Sequence, residues 1–314
     1  MAPSTRLAPS PTGALHLGNA RSFLLTWLRG RALGARVLLR VEDLDGPRTR
    51  KGAVEQALED LRWLGLDWDG EPLYQSTRGL AYEAALDTLR NAGAVYPCVC
   101  TRSEIERARS APNEGDAGPA YPGTCRGRFA DAAAAEAEAG KAPAWRFRVP
   151  ERELRYLDEV RGEERATPAS SEGDFVVAKK SGEAAYQLAV VVDDAFQGVD
   201  LVIRGDDLVP STFCQLLLYE ALDLPPPSFA HLPLVRGACG RRLAKRHGDT
   251  RLASYREAGV SAERVLGLLA AWSGLGPLAP TSAGELLKRG LAWEQLPRED
   301  VVFGPEDERW LRQA

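Results

Sequence analysis

The opening segment Arg6-Leu7-Ala8-Pro9-Ser10-Pro11-Thr12-Gly13-Ala14-Leu15-His16-Leu17-Gly18-Asn19 carries the residue types of a phosphate-binding turn. It reads as a short strand, a turn rich in Pro and Gly, and a helix start. A helix N-terminus presents unpaired N–H groups and the positive end of a dipole, which suits a phosphate or an adenylate. His16 is placed to donate toward phosphate oxygens, and Gly18 lets a ligand approach the backbone closely. A Pro-Gly surface loop with an isolated histidine has the same local pattern, so this segment alone leaves both readings open. A second segment, Arg241-Arg242-Leu243-Ala244-Lys245-Arg246-His247-Gly248-Asp249, has five of nine residues able to carry positive charge. Such a loop can stabilise charge developing on a leaving pyrophosphate; a solvated basic face is the plainer alternative. A third group is Cys98-Val99-Cys100 followed by Cys125. Two thiolates two residues apart can chelate one metal, yet three cysteines make an incomplete zinc set, and buried packing cysteines fit the spacing too. Cys214 and Cys239 read as packing residues.

The elements that must position these groups alternate in kind. Arg6–Ala8 reads as a strand, 17–28 as a helix, and Val37–Val41 as a buried strand. Val54, Leu58, Leu61 and Leu64, then Tyr82, Leu86 and Leu89, recur at helical spacing. This rhythm predicts a parallel sheet covered by helices. Residues 103–120 read as an exposed loop, 130–139 as a surface helix, 145–149 as a half-buried strand and 151–174 as charged and irregular. Gln187–Val192 and Leu201–Arg204 read as strands, 208–222 as a helix ended by Pro225-Pro226-Pro227, and the stretch from about Ser254 onward as helical segments. No internal repeat is present.

The chain has 314 residues, 44% apolar and 27% charged, a composition that excludes a disordered or collagen-like chain. With 40 Lys+Arg against 44 Asp+Glu the net charge is −4, so a nucleic-acid partner would need a local basic patch. No run approaches the length of a membrane helix, and the start lacks the apolar core of a secretory signal. With an odd number of cysteines, five, this points to a reducing compartment and a cytoplasmic, membrane-free protein. No long apolar stripe calls for a partner subunit, so a monomer is expected.

Together the segments resemble signatures of one family. Residues 6–19 resemble the HIGH signature of class I aminoacyl-tRNA synthetases, and Arg242–Arg246 resembles their KMSKS loop. With Arg40-Val41-Glu42-Asp43-Leu44-Asp45 they look like the glutamyl-tRNA synthetase subgroup, over roughly residues 6–255. The stretch after Lys245 is too short for the anticodon-binding region of full-length members. Cys98-Val99-Cys100 followed by Tyr121-Pro122-Gly123-Thr124-Cys125 is similar to the subgroup's short bacterial paralogues, the glutamyl-queuosine tRNA(Asp) synthetases.

The resemblance implies an α/β fold: a Rossmann-like class I catalytic domain in two halves, 1–95 and 181–250, with a zinc-containing insertion at 96–180 and a small helical C-terminal region at 251–314. It implies ATP-dependent activation of L-glutamate without tRNA, then transfer to the queuosine base at the wobble position of tRNA(Asp). A truncated synthetase charging tRNA(Glu), or a zinc-binding non-catalytic relative, are the alternatives. His16 and Lys245 are implied as catalytic. Pro9, His16, Gly18, Asn19, Arg242, Leu243, Ala244, Lys245 and Arg246 would bind ATP, carried as its Mg²⁺ complex. Arg6, Leu7, Ala8, Pro9, Ser10, Glu42, Tyr186 and Arg204 would bind glutamate. In that set Glu42 takes the ammonium, while Arg6, Tyr186 and Arg204 hold the carboxylate end. Cys98, Cys100, Tyr121 and Cys125 would hold one structural Zn²⁺. Arg241, Arg242, Arg246 and Arg251 would meet RNA phosphates. The chain departs from the family pattern at Arg242 (usually Lys), Ala244 (usually Ser), Asn19 (usually His) and Val190, where full-length members commonly have Asn.

Overall fold

A computed structural model describes residues 2–11, 13–44, 52–107, 121–240, 243 and 250–313. The first strands and helices are β1 (Ser4–Leu7), α1 (Leu17–Ala32), β2 (Arg36–Val41), α2 (Ala53–Trp63), β3 (Leu73–Tyr74), α3 (Gly79–Asn91) and β4 (Val95–Cys98). The middle of the chain holds α4 (Arg102–Arg107), α5 (Ala132–Ala139), β5 (Ala144–Phe147), β6 (Leu154–Asp158), β7 (Gly162–Ala166), α6 (Pro168–Ser171) and β8 (Val176–Ala178). Then come α7 (Tyr186–Gln197), β9 (Leu201–Gly205), α8 (Val209–Ala221), β10 (Ser228–Leu232) and β11 (Val235–Gly237). The C-terminal part contains α9 (Leu252–Glu257), α10 (Ala262–Trp272), α11 (Ala283–Arg289), β12 (Val301–Phe303) and α12 (Pro305–Arg312).

Seven strands form the main sheet in the order β3-β2-β1-β9-β10-β6-β7. All neighbours run parallel except the hairpin β6–β7. The chain winds outward from β1 through β2 to β3 on one side, and from β9 to β10 on the other. The border of β1 and β9 is therefore the point where strand order reverses, and open parallel sheets place ligands at the carboxyl ends of strands at such a point.

The central strands β1, β2, β9 and β10 are buried on both faces, which is why β2 and β9 are nearly continuous apolar runs. Alternate residues go to opposite faces: Val37 and Leu39 join one core with Leu24, Leu28 and Leu61, while Leu38 joins another with Leu86, Leu188 and Leu217. Leu268 of α10 and Leu286 of α11 belong to the first core, so the C-terminal helices cover the face that α1 covers. Helix α1 lies so close to the sheet that a Cβ at Gly30 would meet Thr5 Cγ2 at 2.8 Å and Val37 Cγ2 at 2.9 Å. Three antiparallel strands, β4-β5-β8, make a separate sheet, and β11 pairs with β12. No helix among the described residues is long and apolar enough to cross a membrane.

Several sequence readings are corrected, among them the helical reading of the stretch after Ser254, which also holds the strand β12. Gln187–Val192 is not a strand but lies in α7, whose Leu188, Ala189, Val190 and Val191 are all buried. The β-branched run 190–192 has strand propensity, yet a helix packed on most sides is apolar nearly all round and loses its amphipathic period. Residues 151–174 are not irregular. They hold the β6–β7 hairpin and α6, and Asp158 of β6 pairs with Phe229 of β10, so this segment extends the main sheet. The charges that hid the hairpin suit an exposed sheet edge: Arg155 and Arg165 both pair with Glu163. Residues 103–107 of the expected exposed loop lie in α4, and 108–120 lie outside the described residues.

Candidate functional site

A cavity of about 480 Å³ opens at the carboxyl ends of β1 and β9, where strand order reverses. Arg6 enters from β1, Glu42 from the turn after β2, and Arg204 from β9. Ala8, Ser10, His16, Gly18, Asn19 and Tyr186 complete the expected residues that line it. Tyr186 begins α7 and keeps 38% of its surface exposed. Ser10 Oγ donates to the Glu42 carbonyl at 3.4 Å, and Glu42 N donates to the Pro9 carbonyl at 3.0 Å, which ties the two turns together. Two members of the expected glutamate set do not line the cavity. Leu7 points into the core, and Pro9 is buried and acts through that carbonyl.

The cavity wall is polar on both signs, and one buried carboxylate organises it. Asp194 Oδ1 accepts from Arg40 Nη1 at 2.5 Å and from Arg6 Nε at 3.3 Å. Arg40 Nη2 reaches Glu42 Oε1 at 3.2 Å. Burial opposes the Asp194 charge, but Arg40 and Arg6 outweigh it and hold that carboxyl below its ordinary range. For Glu42 burial wins over Arg40 and Arg6, and its pKa is raised. Burial, with the Arg40 and Arg204 guanidiniums nearby, pushes Arg6 down although Asp194 opposes this. Arg204 Nη1 is buried without a hydrogen-bond partner. The wall thus holds guanidinium donors and a carboxylate whose charge is poorly stabilised. An incoming carboxylate would satisfy the first, and an incoming ammonium the second.

Beside this wall the N-terminus of α1 faces the same cavity. His16 is its N-cap: Nδ1 accepts from Gly18 N at 3.1 Å and Asn19 N at 3.4 Å, and Asn19 Oδ1 accepts from His16 N at 3.4 Å. A neutral imidazole whose Nδ1 accepts carries its proton on Nε2. The flanks of the basic segment are anchored here. Leu17 N donates to Thr250 O at 3.2 Å, Leu252 N to Leu15 O at 2.9 Å, and Leu243 N to Val235 O at 3.1 Å. Leu243 itself is buried in the core, and Arg242, Ala244, Lys245 and Arg246 lie outside the described residues.

The cysteines gather away from this cavity, at the end of β4. Cys98, Cys100 and Cys125 place their Sγ atoms within 4.8 Å of one another, and Cys100 and Cys125 are 3.4 Å apart. The Tyr121 hydroxyl lies 3.5 Å from both Cys98 Sγ and Cys100 Sγ, so all four expected ligands converge. Four ligands around zinc at thiolate bond lengths stand about 3.8 Å apart, and this donor set fits that scale. Arg146 adds a cation: its Nε donates to Cys98 Sγ at 3.3 Å and its Cζ sits 3.8 Å from the Tyr121 ring centre. Cys214 is buried as a packing residue, whereas Cys239 is exposed, which corrects the packing reading of that residue; neither belongs to this group.

Sequence reasoning named the cavity residues but not what holds them. Arg40 and Asp194 were missed as site residues, as were Asp158 and His231 behind Arg204 and the buried Arg21, which donates to Pro233 O at 2.6 Å and Ser273 Oγ at 3.0 Å. The available signal was a charge inside an apolar strand, as in Val37-Leu38-Leu39-Arg40-Val41, because a buried charge requires a partner.

Comparison with known proteins gives a consistent picture. Residues 4–277 match the family described as tRNA synthetases class I (E and Q), catalytic domain. The glutamyl-Q tRNA(Asp) synthetase of Nocardia farcinica is 52% identical over 301 residues, 95% of this chain and 92% of that relative. Its counterpart in Rhodopirellula baltica is 48% identical over 309 residues, 95% and 93% of the two chains. The crystal structure of the glutamate-tRNA synthetase of Elizabethkingia anophelis superposes with a TM-score of 0.82 at 28% identity, over 99% of this chain and 70% of that one.

Proposed function

The chain belongs to the class I tRNA synthetases of the glutamate and glutamine type, and from that premise we propose that it joins L-glutamate to the queuosine base of tRNA(Asp) in two steps, the first of which consumes ATP. The carrying observation is one cavity that combines guanidinium donors, a carboxylate and a capped helix N-terminus at the switch point of a parallel sheet. The near-full-length likeness to glutamyl-Q tRNA(Asp) synthetases supports the acceptor.

In the first step an oxygen of the glutamate α-carboxylate attacks the α-phosphorus of ATP, and pyrophosphate leaves with the bond it breaks. The product is glutamyl-adenylate. Such displacement depends on positioning and charge stabilisation rather than on a protein nucleophile. Arg6, Tyr186 and Arg204 would hold the carboxylate end, and Glu42 the ammonium. The ammonium also relieves the unfavourable burial of the Glu42 charge. The α1 N-terminus would turn the positive end of its dipole toward the phosphates, and His16 and Lys245 would stabilise charge on them; Mg²⁺ travels with the triphosphate. In the second step a hydroxyl oxygen of the queuosine base attacks the glutamyl carbonyl carbon, and AMP leaves.

The deciding experiment is transfer of labelled glutamate, with ATP and Mg²⁺, to tRNA from cells with and without queuosine. Label only on queuosine-containing tRNA(Asp) is the expected result. Label on tRNA(Glu) from both preparations would instead make the chain a shortened synthetase. Glutamate-dependent exchange of pyrophosphate into ATP is expected with no tRNA added.

A structural zinc at Cys98, Cys100, Tyr121 and Cys125 is part of this proposal, because the four donors converge and leave no position open for chemistry. Cys125→Ser is expected to weaken zinc retention by more than the roughly 10- to 100-fold that follows loss of an outer partner. A metal-release titration with a chromogenic chelator measures this. Zinc bound equally by both proteins would remove Cys125 from the set.

A further inference from the structure

Arg204 is oriented from behind by a buried imidazole. Its guanidinium donates through Nε to His231 Nε2 at 3.2 Å, and through Nη2 to Thr212 Oγ1 at 2.7 Å and Gln215 Oε1 at 2.8 Å. Those bonds fix one edge of the group. Nη1 has no protein partner, and the side chain lines the cavity. His231, on β10, is wholly buried, with Nδ1 2.6 Å from Asp158 Oδ2. Asp158 also accepts from the backbone N–H groups of Val160 and Arg161 at 2.9 Å and of His231 at 3.1 Å. So many donors favour the ionised carboxylate. The imidazole proton is therefore on Nδ1, facing Asp158, and the Nε2 lone pair faces the Arg204 Nε–H and, at 3.0 Å, the Thr212 hydroxyl.

From this geometry we infer that His231, locked as the Nδ1–H tautomer by Asp158, is a positioning residue that sets the rotation of the Arg204 guanidinium and aims its Nη1 edge at a carboxylate of the amino-acid substrate. This rests on the reading of Arg204 given under Proposed function and adds the group that orients it. Protonating Nε2 would set two donors against each other, one of them on a cation. Burial, with Arg204 alongside, holds the His231 pKa below its ordinary value although Asp158 opposes this. The tautomer that accepts from Arg204 is thus the form present at neutral pH. Thr212 and Gln215 fix the Nη2 corner, but only His231 holds Nε, so without it the plane can turn about that corner.

The test compares His231→Phe, which keeps a ring but removes the acceptor, with His231→Gln, whose Oε1 can accept from Arg204. Glutamate and ATP are titrated separately in pyrophosphate exchange. His231→Phe is expected to raise the KM for glutamate roughly 5- to 150-fold, the effect of leaving a charged donor unpaired. The KM for ATP and kcat should stay within a few-fold, and His231→Gln should recover most of the loss. An unchanged glutamate KM in His231→Phe, a parallel rise in the ATP KM, or a Gln variant no better than Phe would overturn the inference. A measurement on the wild-type protein is independent of how the variants fold. The chain has 3 histidines, and ¹⁵N spectra should show one of them as the Nδ1–H tautomer, lost as such in Asp158→Asn. An Nε2–H tautomer or an imidazolium at His231 overturns the inference as well. A wild-type enzyme that fails to activate glutamate would instead remove the proposed function. An active wild type with an indifferent His231→Phe removes this inference alone.

Discussion

Replacing Arg204 with leucine is expected to lower kcat/KM for glutamate in pyrophosphate exchange by roughly 30- to 5,000-fold, the range for truncating one partner of a buried, hydrogen-bonded charge pair. The effect is large for two reasons. The buried Nη1 has no protein partner, so in the proposed site the substrate carboxylate would be its counter-group, and removing the guanidinium would leave that carboxylate desolvated and unpaired. Leucine also strips donors from His231, Thr212 and Gln215, which all contact Arg204. Arg204→Lys should recover only part of the activity, since one ammonium cannot meet those acceptors and a carboxylate in the same plane. The KM for ATP should change little, because the α1 N-terminus is built without Arg204. A leucine variant with wild-type glutamate kinetics would remove Arg204 from the amino-acid site.

How much of this was legible before the structure depended on distance along the chain. The sheet was readable where burial on both faces writes itself locally, as in Val37–Val41 and Leu201–Arg204. It was unreadable where burial imitates another element: Val190-Val191-Val192 reads as a strand because a buried helix shows no polar face. It was also unreadable in the β6–β7 hairpin, where edge charges outweigh the strand pattern. Of the residues lining the cavity, His16, Gly18 and Asn19 were legible because they lie on one turn, while Glu42, Tyr186 and Arg204 came only with the family resemblance. The network that holds them was missed because its partners meet only after folding. Arg6 and Asp194 are 188 residues apart, and Arg40 and Asp194 are 154 apart. A buried Arg40 announces that a carboxylate exists but not which of the chain's many acidic residues it is.

The second large effect concerns His16, and the choice of substitution separates two roles that alanine would merge. His16→Asn is expected to lower kcat for adenylate formation by roughly 10²- to 10³-fold, the loss that follows removal of one preorganised donor from developing charge. Its melting temperature should stay close to that of the wild type. The ring accepts the Gly18 and Asn19 N–H groups through Nδ1, and asparagine is among the best residues for that cap. What asparagine lacks is the reach of the Nε2–H, which the cap leaves as the protonated nitrogen. His16→Ala removes both functions, and should add about 1 kcal/mol of lost stability to the same catalytic defect. Pyrophosphate exchange and thermal melting on the same preparations read the two effects apart. If His16→Asn were fully active, His16 would be a cap alone, and charge on the phosphates would fall to the α1 dipole and to Lys245. If it were inactive and also as unstable as His16→Ala, the defect would follow from a frayed α1 rather than a missing donor. The expected pattern, a stable protein with slow chemistry, follows from one ring at the cavity wall whose Nδ1 holds the helix start while its proton sits on the other nitrogen.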